Sequence, residues 1–119
     1  MVKIFLFVEA LAFFAAALVH AGILATGYEH HAARIAESVI GAVLLAGLVT
    51  TYLKPELTRA AGLLAQGFAL LGTLVGIFTI VVGVGPRTTP DVIYHVAMVI
   101  LLLWGLGAAG RLPSSAAGG

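Results

Sequence analysis

Apolar residues run through this chain in four blocks, each broken by a short polar or proline-containing stretch. They cover Ile4–Ala25, Ile35–Leu53, Ala60–Val84 and Val92–Ala109. Each block is near the ~20 residues that an α-helix needs to cross ~30 Å of hydrocarbon, the fourth being the shortest. The interruptions have physical causes. Gly27 through Arg34 is a polar turn, and Lys54-Pro55-Glu56 ends the second block because proline cannot continue a helix. Thr58 is the expected N-cap of the third helix, and Gly85-Pro86-Arg87-Thr88-Thr89-Pro90-Asp91 is a stiff turn that supplies capping side chains for the fourth. Loops this short make neighbouring helices antiparallel. The pattern therefore predicts an all-α polytopic membrane protein, an antiparallel up-down four-helix bundle. It occupies one domain, residues 1–110, followed by a flexible tail at 111–119.

Composition agrees with that reading. The chain is 61% hydrophobic and 9% charged, far from the roughly one-quarter charged of soluble domains. A net charge of +1 and the lack of any basic stripe argue against nucleic acid as a partner. Without cysteine there are no disulfides, iron–sulfur clusters, thiolate metal sites or covalently attached haem. The first block carries Glu9 and His20 and exceeds a normal signal-peptide core, so it reads as a retained span. Lys3, Lys54, Arg59 and Arg111 fall on one side of the bundle, Arg34 and Arg87 on the other. This bias predicts both termini on the cytoplasmic side of an inner (plasma) membrane. Trp104 and Tyr52, near the cytoplasmic helix ends, read as interface anchors.

Function is expected in the polar groups inside these blocks, because ionisable side chains at membrane depth are expensive. At 1.5 Å per residue, His20, Glu37, Thr79 and His95 all lie roughly 5–7 Å below the outer boundary. Each helix thus contributes one polar group at a common height. Two imidazoles and a carboxylate suit a transition metal, with His30 or His31 as further ligands. His20 and His95 could alternatively hold a b-type haem, with room at Ala15, Ala16, Ala17 and Gly22 and with Arg34 or Arg87 at the propionates. The metal or haem reading with His20, His95 and Glu37 as ligands is the first expectation. The alternatives are a proton-coupled small transporter and an accessory subunit of a larger membrane complex. A structural reading stands beside them, in which Glu37 simply pairs with Arg34 one turn away. No nucleophile–base constellation supports an enzyme.

A second polar pair, Glu9 and Gln66, lies near the inner face. Glu9 and His20 are eleven residues apart, about 20° in azimuth, so they share one face of the first helix. Glu9, Gln66 and Glu37 are the candidates for a proton relay; a protonated Glu9 hydrogen-bonded to Gln66 is the structural alternative. Gly72 and Gly76, with Thr79 and Gly83, form a small-residue stripe for close helix packing, within the bundle or between copies in a homo-oligomer. A shift of 57 or 58 residues brings Glu9 over Gln66, Glu37 over His95, Leu44 over Leu102 and Gly47 over Gly105, the mark of an internal repeat.

Four spans with Glu9 in the first resemble the small multidrug resistance exporters in length, span count and that glutamate. The resemblance implies a membrane carboxylate that exchanges protons for cationic drugs. The chain departs from that family in lacking its aromatic-rich second and third helices, and the histidine layer has no counterpart there.

Overall fold

A computed structural model describes residues 1–114, so residues 115–119 of the expected tail lie outside the described residues. Four long helices make up the chain: α1 (Val2–His20), α2 (His31–Leu53), α3 (Thr58–Val82) and α4 (Thr89–Gly110), with a 3-10 turn at Pro55–Leu57. All four are long and apolar enough to cross a membrane. The body measures 53 × 25 × 18 Å, its long axis comfortably exceeding the ~30 Å of a bilayer's hydrocarbon.

The helix ends explain where polar residues fall. Hydropathy carries the first block to Ala25, yet α1 stops at His20. Gly22 takes a left-handed conformation (φ 77°) that no continuing helix permits, and the His30 N–H returns to the His20 carbonyl at 3.0 Å. His20 is therefore the last helical residue, not one buried a turn and a half inside. Helix α2 begins four residues earlier than its apolar block, capped by His30, whose Nδ1 accepts from the Ala33 N–H at 3.1 Å. Thr58 is not an N-cap; it is the first residue of α3 and donates back to the Pro55 carbonyl at 2.7 Å. Gly83 ends α3 at φ 90°, and the N–H groups of Gly83, Val84 and Gly85 converge on the Thr79 carbonyl at 2.9–3.1 Å. Helix α4 starts at Thr89 because Thr88 and Asp91 form a reciprocal capping box and Pro90 sits where no N–H is needed.

Helix α1 packs chiefly on α2, α2 on α3, and α3 on α4. Leu6, Phe13, Leu44, Ala69, Met98 and Leu102 fill the shared core, while Ile4, Phe7, Leu64, Phe78, Val81 and Leu103 point outward. Apolar side chains on the outer surface are what a lipid-facing exterior requires. Trp104 and Tyr52 are both exposed; Trp104 lies against Phe5, and the Lys3 ammonium sits 4.2 Å above the Tyr52 ring.

Small residues set how closely the helices approach. The small-residue stripe of α3 divides between neighbours: a Cβ on Gly72 would meet Ile40 of α2, and one on Gly76 would meet His95 of α4. Gly83 stands outside this seam as the helix cap. The tightest approach of α2 to α3 lies elsewhere. A Cβ on Gly47 would stand 2.8 Å from the Ala65 Cβ, roughly 1 Å inside normal carbon contact. Gly47→Ala is expected to destabilise the fold by about 1–3 kcal/mol, because neither methyl can rotate away. Gly67→Ala, with nothing within 4 Å of the new methyl, is expected to stabilise α3 by about 0.5–1 kcal/mol. Thermal unfolding of both variants in mild detergent checks the contrast; equal midpoints would mean that α2 and α3 are not in contact at this point.

Candidate polar site

Three helix ends converge on His20. From the end of α1 its Nδ1 meets Glu37 Oε2 of α2 at 2.7 Å, and its Nε2 meets Asp91 Oδ1 of α4 at 3.0 Å. The three residues are 4%, 5% and 7% exposed, so this is a buried acid–imidazole–acid trio. Asp91 Oδ2 accepts from the Thr88 backbone N–H at 3.0 Å and from the Thr88 hydroxyl. Asp91 thus does two jobs: one oxygen closes the capping box of α4, the other holds His20. The first-turn position of α4 also favours its negative charge.

Each contact to His20 needs one proton between nitrogen and oxygen. Two protons shared over the two contacts give the trio one net negative charge, whether the ring carries both or one resides on a carboxyl group. A proton arriving at one acid and another leaving the other would restore the same state after the imidazole reorients its bonding.

The remaining sequence candidates fall around this trio. His95 is buried but does not join it: its Nδ1 donates to the Asp91 carbonyl at 2.7 Å. A carbonyl can only accept, so Nδ1 carries a proton, and a ring with that proton alone leaves Nε2 as an acceptor. That nitrogen is turned toward α3, 2.8 Å from where a Gly76 Cβ would be. His30 uses both nitrogens, accepting from Ala33 and donating to the Val84 carbonyl at 3.2 Å, which ties the start of α2 to the loop after α3. His31 is exposed and accepts from Arg34 Nη2 at 2.8 Å. Arg34 is therefore not the partner of Glu37. Thr79 satisfies its hydroxyl on the Gly76 carbonyl of its own helix at 2.7 Å.

Two cavities flank the trio. One, of about 320 Å³, lies among α2, α3 and α4 and is lined by Glu37, His95, Thr73, Thr79, Tyr94 and Phe13 among others. The second, of about 540 Å³, lies along α1 and α4 and reaches His20, Asp91 and Tyr94, with Tyr28, Ala12 and Ala16. Glu37 faces only the first cavity and Asp91 only the second. The trio is a polar link between them, and Tyr94 lines both.

Glu9 and Gln66 lie further along the bundle, both 0% exposed, and both crowd the same point above Gly105. The two side chains are close neighbours, but no hydrogen bond of good geometry joins them, and among the described residues neither has another partner. Phe13 and Ala17, both buried, separate Glu9 from His20 along α1.

Asp91 is the site residue that sequence reasoning passes over. Its place three residues after Thr88 marks it as a capping acid, but a cap uses only one carboxylate oxygen. The signal for a second role was the other oxygen, placed at the same end of the bundle as His20.

Among the described residues, no group of three histidine, aspartate or glutamate side chains is disposed to hold a metal ion. Comparison of the chain with protein-family models, curated proteins and solved structures found no match. Fold and site together define an all-helical protein with four membrane-length helices and a buried Glu–His–Asp trio toward one end.

Proposed function

We propose that this chain is a multi-pass inner-membrane protein, an up-down antiparallel bundle, whose Glu37–His20–Asp91 trio exchanges protons in the coupled movement of a small solute. One observation carries the reading: His20 is bonded at both ring nitrogens to acids, and the two acids face different cavities. A structural ion pair needs only one carboxylate, and that pair would not need a cavity on each flank. The Lys/Arg bias supports cytoplasmic termini and, with them, a trio toward the outer face.

The metal or b-type haem reading, with His20, His95 and Glu37 as ligands, would require His20 to exchange a carboxylate for the metal. It stands as the alternative outcome of metal analysis and an absorption spectrum on the purified protein. A stoichiometric metal ion or a Soret band would replace proton exchange as the function. Recovery of other chains on gentle detergent extraction would instead favour a subunit of a larger complex.

Proton exchange is tested in liposomes loaded with a pH-sensitive dye. An imposed pH gradient is expected to drive proton flux through the wild-type protein, and Glu37→Gln or Asp91→Asn to reduce it to the level of empty liposomes. Folding of each variant is checked by its unfolding midpoint. Wild-type flux no greater than that of empty liposomes, or full flux in both folded variants, would overturn the proposal.

A further inference from the structure

We infer that the cavity among α2, α3 and α4 binds a primary ammonium group, with Glu37 and His95 as its receptors; this rests on the proton-exchange reading and names the solute class. The chemistry of the lining points there. Glu37 spends Oε2 on His20, while Oε1 makes no hydrogen bond among the described residues and belongs to a residue lining the cavity. His95 presents Nε2, an acceptor because its proton is committed to Asp91. Both residues are more than nine-tenths buried, while each keeps an unused acceptor that is not itself sealed from the cavity.

Of the other polar groups of the lining, the Tyr94 hydroxyl is buried without a hydrogen-bond partner and is a further open donor or acceptor. His30, Thr73 and Thr79 each donate to a backbone carbonyl. No lysine or arginine lines the cavity, and Arg34 is engaged by His31. The occupant that satisfies two open acceptors beside a trio of net charge minus one is a cation with at least two N–H donors. Phe13, Ile40, Val75 and Pro86 supply an apolar wall for a short alkyl chain. About 320 Å³ is room enough for a small amine. The same ammonium chemistry belongs to a free alkylamine and to the headgroup of phosphatidylethanolamine.

The test uses the full chain in nanodiscs of phosphatidylcholine alone, titrated calorimetrically with n-butylammonium. Saturable one-to-one binding is expected, with tetramethylammonium, which has no N–H, failing to bind. Glu37→Gln is expected to weaken binding by about 10- to 100-fold. Because that change also touches the trio, Ala36→Phe is the second variant. Ala36 lines the cavity and is exposed, so a phenyl ring there blocks the space and leaves the trio intact.

Adding phosphatidylethanolamine separates the sources: competition with butylammonium assigns the site to the lipid amine, and unchanged binding assigns it to a free amine. Either result supports the ammonium class. No saturable binding to the wild-type protein, equal binding of tetramethylammonium, or undiminished binding in both variants would overturn it. Proton flux measured on the same preparations keeps the two proposals apart. Flux without amine binding removes only the solute class, and amine binding without flux removes only the proton-exchange reading.

Discussion

Replacing His20 by alanine is expected to destabilise the protein by about 3–5 kcal/mol, the most damaging single change considered. The reason is the position of the ring between Glu37 and Asp91, at 2.7 and 3.0 Å. Its removal leaves two buried carboxylates facing one gap, and an uncompensated buried charge costs more than the intact pair contributed. The loss should be largely recovered when the acids are neutralised with it. His20→Ala combined with Glu37→Gln and Asp91→Asn is expected to unfold at a midpoint well above that of His20→Ala alone. The excess stability of the triple variant over the sum of the separate changes measures the coupling, expected at about 1–3 kcal/mol. Thermal unfolding in mild detergent provides the comparison. If His20→Ala alone unfolds at the wild-type midpoint, the three side chains are not in contact.

That trio also marks where the sequence stops being legible. Four apolar blocks and their proline and glycine breaks were enough to place every helix, because hydropathy and backbone restriction act locally. Depth was legible only in part: the count put His20 and Glu37 at one end of the bundle, where the structure joins them, but it carried α1 five residues too far. Azimuth was not legible. Asp91 and His95 are four residues apart, about 40° around α4, and nothing in that spacing tells which of them faces α1. The structure gives Asp91 to His20 and turns the His95 ring toward the notch at Gly76.

The end of α1 was illegible for a different reason. Residues 21–25 are nearly as apolar as the helix before them, so hydropathy runs on through the turn. The terminating signal is the single left-handed Gly22, around which the N–H groups of Gly22 and Ile23 return to the Val19 and Leu18 carbonyls, at 3.0 Å each. A spare carboxylate oxygen on a capping acid and a glycine beside a histidine are weak marks in isolation. They become informative only when helix contacts say what lies opposite.

Glu9→Met combined with Gln66→Met is expected to stabilise the protein by about 2–4 kcal/mol, the reverse of what changing two buried, centrally placed residues usually does. Four side-chain polar atoms of this pair are buried without hydrogen-bond partners among the described residues. Each unsatisfied group costs roughly 1–3 kcal/mol in an apolar interior, and methionine keeps the length and flexibility of both side chains while removing the polar atoms. A single Glu9→Met is expected to gain less, because the Gln66 amide stays orphaned beside it. Crowding limits the choice of substitute: a Cβ on Gly105 would stand 2.5 Å from Glu9 Oε1 and 2.8 Å from Gln66 Nε2, so a branched or aromatic side chain would overpack the same point. Unfolding midpoints of the single and double variants decide the matter. A double variant less stable than wild type would mean that the two side chains satisfy each other, and that this second polar layer is a built element of the bundle. Retained proton flux in the stabilised double variant would further confine proton exchange to the Glu37–His20–Asp91 end, leaving Glu9 and Gln66 outside the route.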